Sequence, residues 1–470
     1  MKRILCLLLA LCMTLSLCAC TDSSQSQQTE SRAAEGLQVG YAKVDITPDF
    51  SVGLGGNSDM ETRRSTGFAD YIYITCIAAT AGEKTVLLYT VDNCAASKSV
   101  ADQLRAAVTP ATGVPEGNIF VGATHSHSCP SLSWPDEAGI KYSNQVMDAA
   151  VQAAEAALAD RSAAKVLAAT PTISGMNFVR HYKLSDGSYA GPNFGDFFGK
   201  TIESHAAEPD RQMVLVKFDR GAEKESVLMV NWQAHPDSCA DIGYTTIAAS
   251  WIGPLRDTLE EASGCHVAYF TGASGNTIMS SSIPELNHGL KTWQEYGVKM
   301  GQLAAEALEQ LQEVEGAAIK TTGTMFEVEV DHSWDPMLAQ ANEVYDVWKN
   351  TDKTAGDALG KQYGFSSSFQ ARAIRTRAAM AATEQLEVNA FSIGGIGFTT
   401  GTYEMFSGNA VYVKEHSPFA VTFIMTGNSS YIPSEDAFNY RCYEADTGYY
   451  AKGTGEKLAE NYVTMLESLR

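Results

Sequence analysis

From about residue 37 onward the chain keeps one rhythm, which limits its fold more than any other feature. Short runs of β-branched and aromatic residues alternate with stretches of helical periodicity. "TVLLYTVD" (85–92) reads as a strand, "ASKSVADQLRAAV" (96–108) as a helix, "NIFVGATH" (118–125) as the next strand and "NQVMDAAVQAAEAALAD" (144–160) as the next helix. "ESVLMVNWQAH" (225–235), "HVAYFTGAS" (266–274), "VNAFSIGGIGFTTGTYE" (388–404) and "FAVTFIMTGNSSY" (419–431) are again strand-like, and 290–314 predicts one long helix with an apolar stripe. Alternation of this kind is the pattern of an α/β fold. With 45% hydrophobic residues, the chain has enough apolar surface for a large core.

Several of the apolar runs end in a residue capable of chemistry: His125 and His127, then His235, Ser274, Glu404 and Tyr431. Ligands collect beyond the carboxyl ends of strands in α/β sheets, because side chains from several strands converge there. Strand ends also lie at the surface, where polar residues are ordinary. His125 and His127 stand one residue apart, and alternate residues of an extended strand face one side, so both imidazoles can address one object such as a metal ion. A catalytic metal takes nitrogen and oxygen ligands from separate segments and keeps one position open, and His125, His235 and Glu404 suit that chemistry. Ser274 sits on a glycine-rich turn, "YFTGASGNT", but Asn276 breaks the GxSxG elbow of a nucleophilic serine. Gly272 and Gly275 permit a tight turn that exposes backbone N–H groups or Ser274 itself; a turn selected only for its shape fits equally well.

The N-terminus has the form of a targeting signal. "MKRILCLLLALCMTLSLCAC" combines a Lys-Arg start with a short apolar run, and Leu17-Cys18-Ala19-Cys20 resembles a bacterial lipobox. The expectation is a signal peptide over 1–19, lipidation of Cys20, a polar tether over 20–36, and a folded domain over 37–470. That places the protein outside the cell, lipid-anchored on the outer face of a bacterial cytoplasmic membrane. Thirty-four basic against 55 acidic residues give a formal charge of −21 with no basic tract, which argues against nucleic acid as a partner. Beyond Cys20, cysteines 76, 94, 129, 239, 265 and 442 form no CxxC pair, so free buried thiols are expected rather than a zinc finger or a disulfide framework.

In order along the chain, "VGYAKVDITP", "GATHSHSCP", "MNFVRHYKLSDG", "VLMVNWQAHPDS", "VAYFTGASGN", "TYEMFSGNAVYVKEHSPF" and "SSYIPSEDAFNYRCYEA" resemble the neutral/alkaline non-lysosomal ceramidase family, from about residue 38 to about residue 450. The resemblance implies that family's catalytic-domain fold: mixed β-sheets flanked by helices, with a metal site at strand ends. It also implies hydrolysis of the N-acyl bond of ceramide with one Zn2+ per chain. His125, His235 and Glu404 fall at the zinc ligands, and Tyr431 at a tyrosine that approaches the metal. His127 falls beside the scissile amide, Arg180 at a substrate-facing arginine, Tyr443 at a second active-site tyrosine and Ser274 at a serine near the zinc.

Three departures bear on substrate. Cys129 precedes Pro130 where the family has glycine, which predicts a narrower mouth; Gly67-Phe68-Ala69 lacks the histidine of the family's Gly-Ile-His; and the chain stops at Arg470, where full-length members continue into a β-sandwich. The expected substrate is therefore ceramide or another lipid or small N-acyl compound. Zinc-activated water is the favoured nucleophile, with attack by Ser274 as the alternative. A reading from another class is a lipid-anchored solute-binding protein that uses the same cleft without catalysis.

Overall fold

The computed structural model describes residues 36–56, 63–427 and 429–470. The expected signal peptide, Cys20 and nearly all of the tether lie outside the described residues. Three mixed sheets carry the fold. The first joins β1 (Gln38–Asp45), β2 (Tyr73–Ala81), β3 (Lys84–Val91) and β4 (Ile119–Ala123) in the order β4-β3-β2-β1, with Ser162–Ala163 on the far edge. The second joins β5 (Lys165–Ala169), β6 (Val214–Asp219), β7 (Val227–Trp232) and β8 (His266–Thr271) in the order β8-β7-β6-β5. The third joins β9 (Ile319–Glu329), β10 (Thr383–Ile393), β11 (Ile396–Gly401) and β12 (Val421–Thr426) in chain order.

Each sheet finishes in one parallel pair, β3/β4, β7/β8 and β11/β12, while its other pairings are antiparallel. Parallel neighbours need a crossover. Helices Lys98–Thr112 (α1), Ile252–Ser263 (α3) and Ser407–His416 (α8) supply it, giving three βαβ units. Glu137–Ala159 (α2) packs with α1 on the first sheet, Trp293–Glu306 (α4) with α3 on the second, and Thr454–Glu467 (α9) with α8 on the third. Three further helices, Leu338–Asn350 (α5), Lys353–Gln362 (α6) and Ser368–Ala378 (α7), leave the third sheet between β9 and β10. They close their own small core on Val344, Phe365 and Ile374.

The edge strands β4, β8 and β12 meet in the interior, where Phe120, Phe270, Phe391, Phe398 and Phe423 belong to one buried cluster. Outward-facing backbone groups of a buried edge lose water and need other partners. Side chains provide them. Asn231 on β7 donates through Nδ2 to the carbonyls of Phe270 (2.9 Å) and Ile424 (2.8 Å), and its Oδ1 accepts from the Ile424 N–H at 3.4 Å. Thr90 Oγ1 donates to Tyr269 O at 2.7 Å, Thr271 Oγ1 to Thr124 O at 2.7 Å, and Thr426 Oγ1 to Thr271 O at 3.1 Å. These bonds tie the carboxyl ends of the parallel pairs to one another.

The expected elements are present with three differences. The long helix over 290–314 ends at Glu306, turns through a 3-10 segment (Ala307–Gln310), and then Gln312–Glu313 pairs with β5, because the outer edge of the second sheet takes up those backbone groups. The run 388–404 folds back at Gly394, whose φ of 57° suits glycine, to make β10 and β11. The sequence rhythm gave no signal for α5–α7.

Among the described residues no helix is long and apolar enough to cross a membrane. Asn231→Leu keeps the volume but strands three buried backbone groups, and should lower unfolding free energy by about 3 kcal/mol or more; Thr90→Val, which strands one, should lower it by about 1–2 kcal/mol. Urea unfolding of the two variants tests this ranking, and equal losses would contradict it.

Candidate metal centre

Six of the strand ends tied together in the interior deliver the site. Cys94 follows β3, His125 follows β4, His235 follows β7, Ser274 follows β8, Glu404 follows β11 and Tyr431 follows β12. The two histidines of "HSH" do not share a strand face, contrary to the reading from alternation. β4 ends at Ala123, and His125 takes a left-handed backbone (φ 65°), unusual for a residue with a Cβ. Its N–H is held by Asn93 O at 2.9 Å. This turn re-aims the chain, so His125 and His127 approach the same point from different directions, their rings at 86°. Gly56 (φ 88°) lies flat against His127, where a Cβ would stand 2.5 Å from the imidazole Cγ.

Three ring nitrogens converge. His125 Nε2 lies 2.9 Å from His235 Nε2 and 3.3 Å from His127 Nε2, and the latter two lie 3.1 Å apart. Glu404 Oε2 stands 3.5 Å from His125 Nε2 and, though buried, has no hydrogen-bond partner among the described residues. The Nδ1–H of His125 donates to Cys94 O, and that of His235 to Ser274 O at 3.3 Å. These bonds fix the tautomers that leave Nε2 lone pairs facing inward. Lone pairs this close repel unless a cation lies among them. Burial disfavours charge on His125, yet the Glu404 carboxylate outweighs it and holds that imidazole well above the usual histidine range, so the site favours a positive charge at this point, carried by a proton on Nε2 or by a metal ion in its place. Burial instead pushes His127 down to about 4 and His235 well below the histidine range, so both are neutral. His125, His235 and Glu404 form a buried donor set that can hold a metal ion. The orphaned carboxylate oxygen and the inward lone pairs are what such an ion would satisfy.

Around this set the structure places the remaining expected residues. Tyr431 pairs with Glu404 in a short parallel bridge, and its hydroxyl accepts from Arg180 Nη2 at 3.3 Å. Tyr443 packs edge-on to Tyr431, ring centroids 6.0 Å apart. Arg180 Nη2 also donates to Gly275 O at 3.0 Å. Gly275 admits no side chain, since a Cβ would fall 2.8 Å from Glu404 O. Ser274 is fully buried and its Oγ bonds nothing among the described residues, so no base stands ready to activate it. Cys129 does not narrow the mouth; it is buried in the first sheet's core, while Cys94 lines the cleft. Cys76, Cys129, Cys265 and Cys442 are buried free thiols as expected, and Cys94 is a half-buried one.

Three residues of the site went unnoticed in the sequence. Asp237 Oδ2 lies 3.6 Å from His127 Nδ1, the face turned away from the other imidazoles. Glu444 bonds Arg180 Nε at 2.6 Å and His181 Nε2 at 2.7 Å. Burial alone would raise the Glu444 carboxyl, but His181 and Arg180 hold it down at about 2. Each of the three neighbours a recognised residue in sequence: Asp237 stands two after His235, His181 follows Arg180 and Glu444 follows Tyr443. The cleft, about 610 Å³, is walled by His125, His127, Arg180, Asp237, Tyr431 and Tyr443 on one side and by Lys353, Phe369 and Arg372 from α6 and α7.

No protein-family model matches the chain, and no curated protein matches it. Solved structures do. Neutral ceramidase from Pseudomonas aeruginosa superposes with a TM-score of 0.66 at 16% identity, over 93% of this chain and 75% of that one. A ceramidase complexed with C2 gives 0.67 at 15% identity, over 93% and 76%. The fold is thus that of the neutral ceramidase structures, as the resemblance implied.

Glu444→Gln leaves Arg180 buried without its carboxylate and should destabilise the protein by about 3–5 kcal/mol at pH 7. The folded carboxyl titrates near 2 and the unfolded one near 4.3, so its stabilisation is present above about 4.3 and lost as pH falls toward 2. The gap between parent and variant in urea melts should hold from pH 7 to 5 and narrow below about 4; a gap that widens there would contradict the ion-pair account.

Proposed function

We propose that the protein is a zinc-dependent amide hydrolase resembling neutral ceramidase, cleaving the N-acyl bond of ceramide or a related N-acyl compound. The observation that carries this is the convergence of three imidazole Nε2 atoms on an unpartnered buried carboxylate, at the head of a cleft that also presents Arg180 and Tyr431. In a tetrahedral zinc site with bonds of about 2.0–2.1 Å, neighbouring ligand atoms stand about 3.3–3.4 Å apart. Within the donor set, 2.9 Å between His125 Nε2 and His235 Nε2 and 3.5 Å between His125 Nε2 and Glu404 Oε2 bracket that edge. His125, His235 and Glu404 would hold one zinc per chain, with Tyr431 at its margin. Zinc supplies Lewis acidity, which makes a water acidic near neutrality and polarises an amide carbonyl.

The chain's own residues then divide the work. His127, neutral and buried, accepts the proton of the attacking water at Nε2, and Asp237 behind Nδ1 stabilises the imidazolium that forms. The carbonyl oxygen gains negative charge as the C–O bond forms, facing the Arg180 guanidinium and the Tyr431 hydroxyl. Glu444 and His181 keep Arg180 aimed at that point. His127 returns its proton to the amide nitrogen as the C–N bond breaks, releasing a carboxylate and an amine. Tyr443 lines the reacting groups in this scheme, while Ser274 is buried away from the cleft and among the described residues has no base to make it the nucleophile. The anchored location at Cys20 belongs to the same proposal: it sets the enzyme on the outer membrane face, where N-acyl lipids are within reach.

Elemental analysis of the purified protein should find about one zinc per chain, lost in His235→Ala, together with hydrolysis of a fluorescent N-acylsphingosine. His127→Ala should keep the zinc and lose roughly 100- to 10,000-fold in kcat; zinc lost from this variant would make His127 a ligand instead. A protein that neither contains zinc nor can be loaded with it would refute the mechanism and favour a solute-binding role.

A further inference from the structure

The cleft wall supplied by α6 and α7 carries positive charge in a chain whose net charge is −21. Of the three cations lining the cleft, two are already neutralised. Arg180 is paired with Glu444, and Lys353 Nζ lies 2.7 Å from Asp357, which also accepts from the Ser368 N–H and Oγ at 2.7 Å each. Arg372 is different. Among the described residues its exposed guanidinium has no carboxylate or hydrogen-bond partner, although it is held in place: its Cζ stands 5.2 Å from the Phe369 ring centroid and 5.6 Å from that of Trp348. Lys353 Nζ sits 4.7 Å from the same Phe369 ring, so two cations share one aromatic platform. Cation–π contact fixes a guanidinium's position but leaves its N–H fork free to bind an oxyanion.

The route from this platform to the reaction centre is aromatic. Phe369 meets Tyr443 at 5.7 Å, and Tyr443 meets Tyr431 at 6.0 Å, next to Glu404. Arg372 is thus linked to the reaction centre through successive contacts with Phe369, Tyr443 and Tyr431. Arg180, aimed by Glu444, is committed to the developing oxyanion in the scheme above, which leaves Arg372 as the cation for a charge elsewhere on the substrate.

On the hydrolase reading above, we infer that the preferred substrate is an N-acyl compound bearing a carboxylate or phosphate several bonds from the scissile amide. Arg372 is its recognition residue. A guanidinium can take an oxyanion in a bidentate, charge-assisted pair, and the aromatic steps give the intervening chain an apolar track.

The test compares kcat/KM for three lipids: N-acylsphingosine, its 1-phosphate, and N-acylsphingosine with a carboxylate at the far end of the acyl chain. The parent should prefer one anionic lipid over the neutral one by about 10-fold or more. Which one it prefers tells whether the anion sits on the amine or the acyl side. The preference should collapse toward unity in Arg372→Gln, invert in Arg372→Glu and return in part in Arg372→Lys. Lys349→Gln, a surface cation on α5 away from the cleft, should leave the ratio unchanged. Equilibrium binding of the same lipids in neutral mixed micelles is measured in parallel, so absence of turnover refutes the hydrolase reading while binding still judges the anion site. No anionic preference in the parent, or a preference that survives Arg372→Glu, overturns the inference.

Discussion

Three sheet edges meet in the interior of this protein, where no water reaches their outward backbone groups. One asparagine and a few threonines solve that problem. Asn231 bonds the backbone of two neighbouring edge strands much as another strand would, and Thr90, Thr271 and Thr426 reach from one edge to the next. Unsatisfied, each of these groups would cost about 1–3 kcal/mol. Satisfied, they fix how the three sheets meet. Because each edge belongs to a parallel pair, that meeting also gathers the carboxyl ends of six strands. The candidate metal centre is a consequence of how the sheets close on one another, since no single sheet carries His125, His235 and Glu404 together.

Charge within the site is arranged in layers. Closest in, Glu404 and the inward imidazole lone pairs leave a place suited to a cation. Next, Asp237 backs His127 and Glu444 backs Arg180, so each of these two groups has a carboxylate beside it. Farther out, at the helical wall, the pairing stops and the Arg372 guanidinium has no carboxylate partner among the described residues. Inner charges serve orientation, where a fixed partner is an advantage. The outer charge is available to something that comes and goes.

Much of this was legible in the sequence, for a physical reason. Buried parallel strands read as continuous apolar runs, so β3, β4, β7, β8, β11 and β12 were visible, and for all of them but β3 a polar residue ending the run marked the site. His125, His235 and Glu404 stood out by ligand chemistry at run ends and again in the resemblance, while the expected roles of Arg180, Tyr431 and Tyr443 came only from the resemblance in block order, which 16% identity over the superposed structure leaves faint in any one block. What stayed hidden depends on tertiary context. The left-handed turn at His125 leaves no mark in composition, and strand alternation therefore gave the right convergence for the wrong reason. Nothing local says that 307–313 stops being helical, because the partner that claims it, β5, lies far away in the chain. Asp237, His181 and Glu444 are polar residues of common type, notable only once their neighbours are known.

The excursion α5–α7 has a bearing on how such a protein diversifies. β9 and β10 are antiparallel neighbours in full register, and a tight turn would be enough to join them. The helices between them pack on their own small core and touch the remainder through few anchors, among them Arg377 on the Gly448 carbonyl and Phe369 on Tyr443. Mutation can lengthen, shorten or resurface this unit without disturbing the junction of the three sheets or the ligands it gathers. Selection can thus retune the molecules admitted to the cleft while the candidate metal centre stays constant, which makes this insertion the natural place to look for divergence between proteins of the same fold.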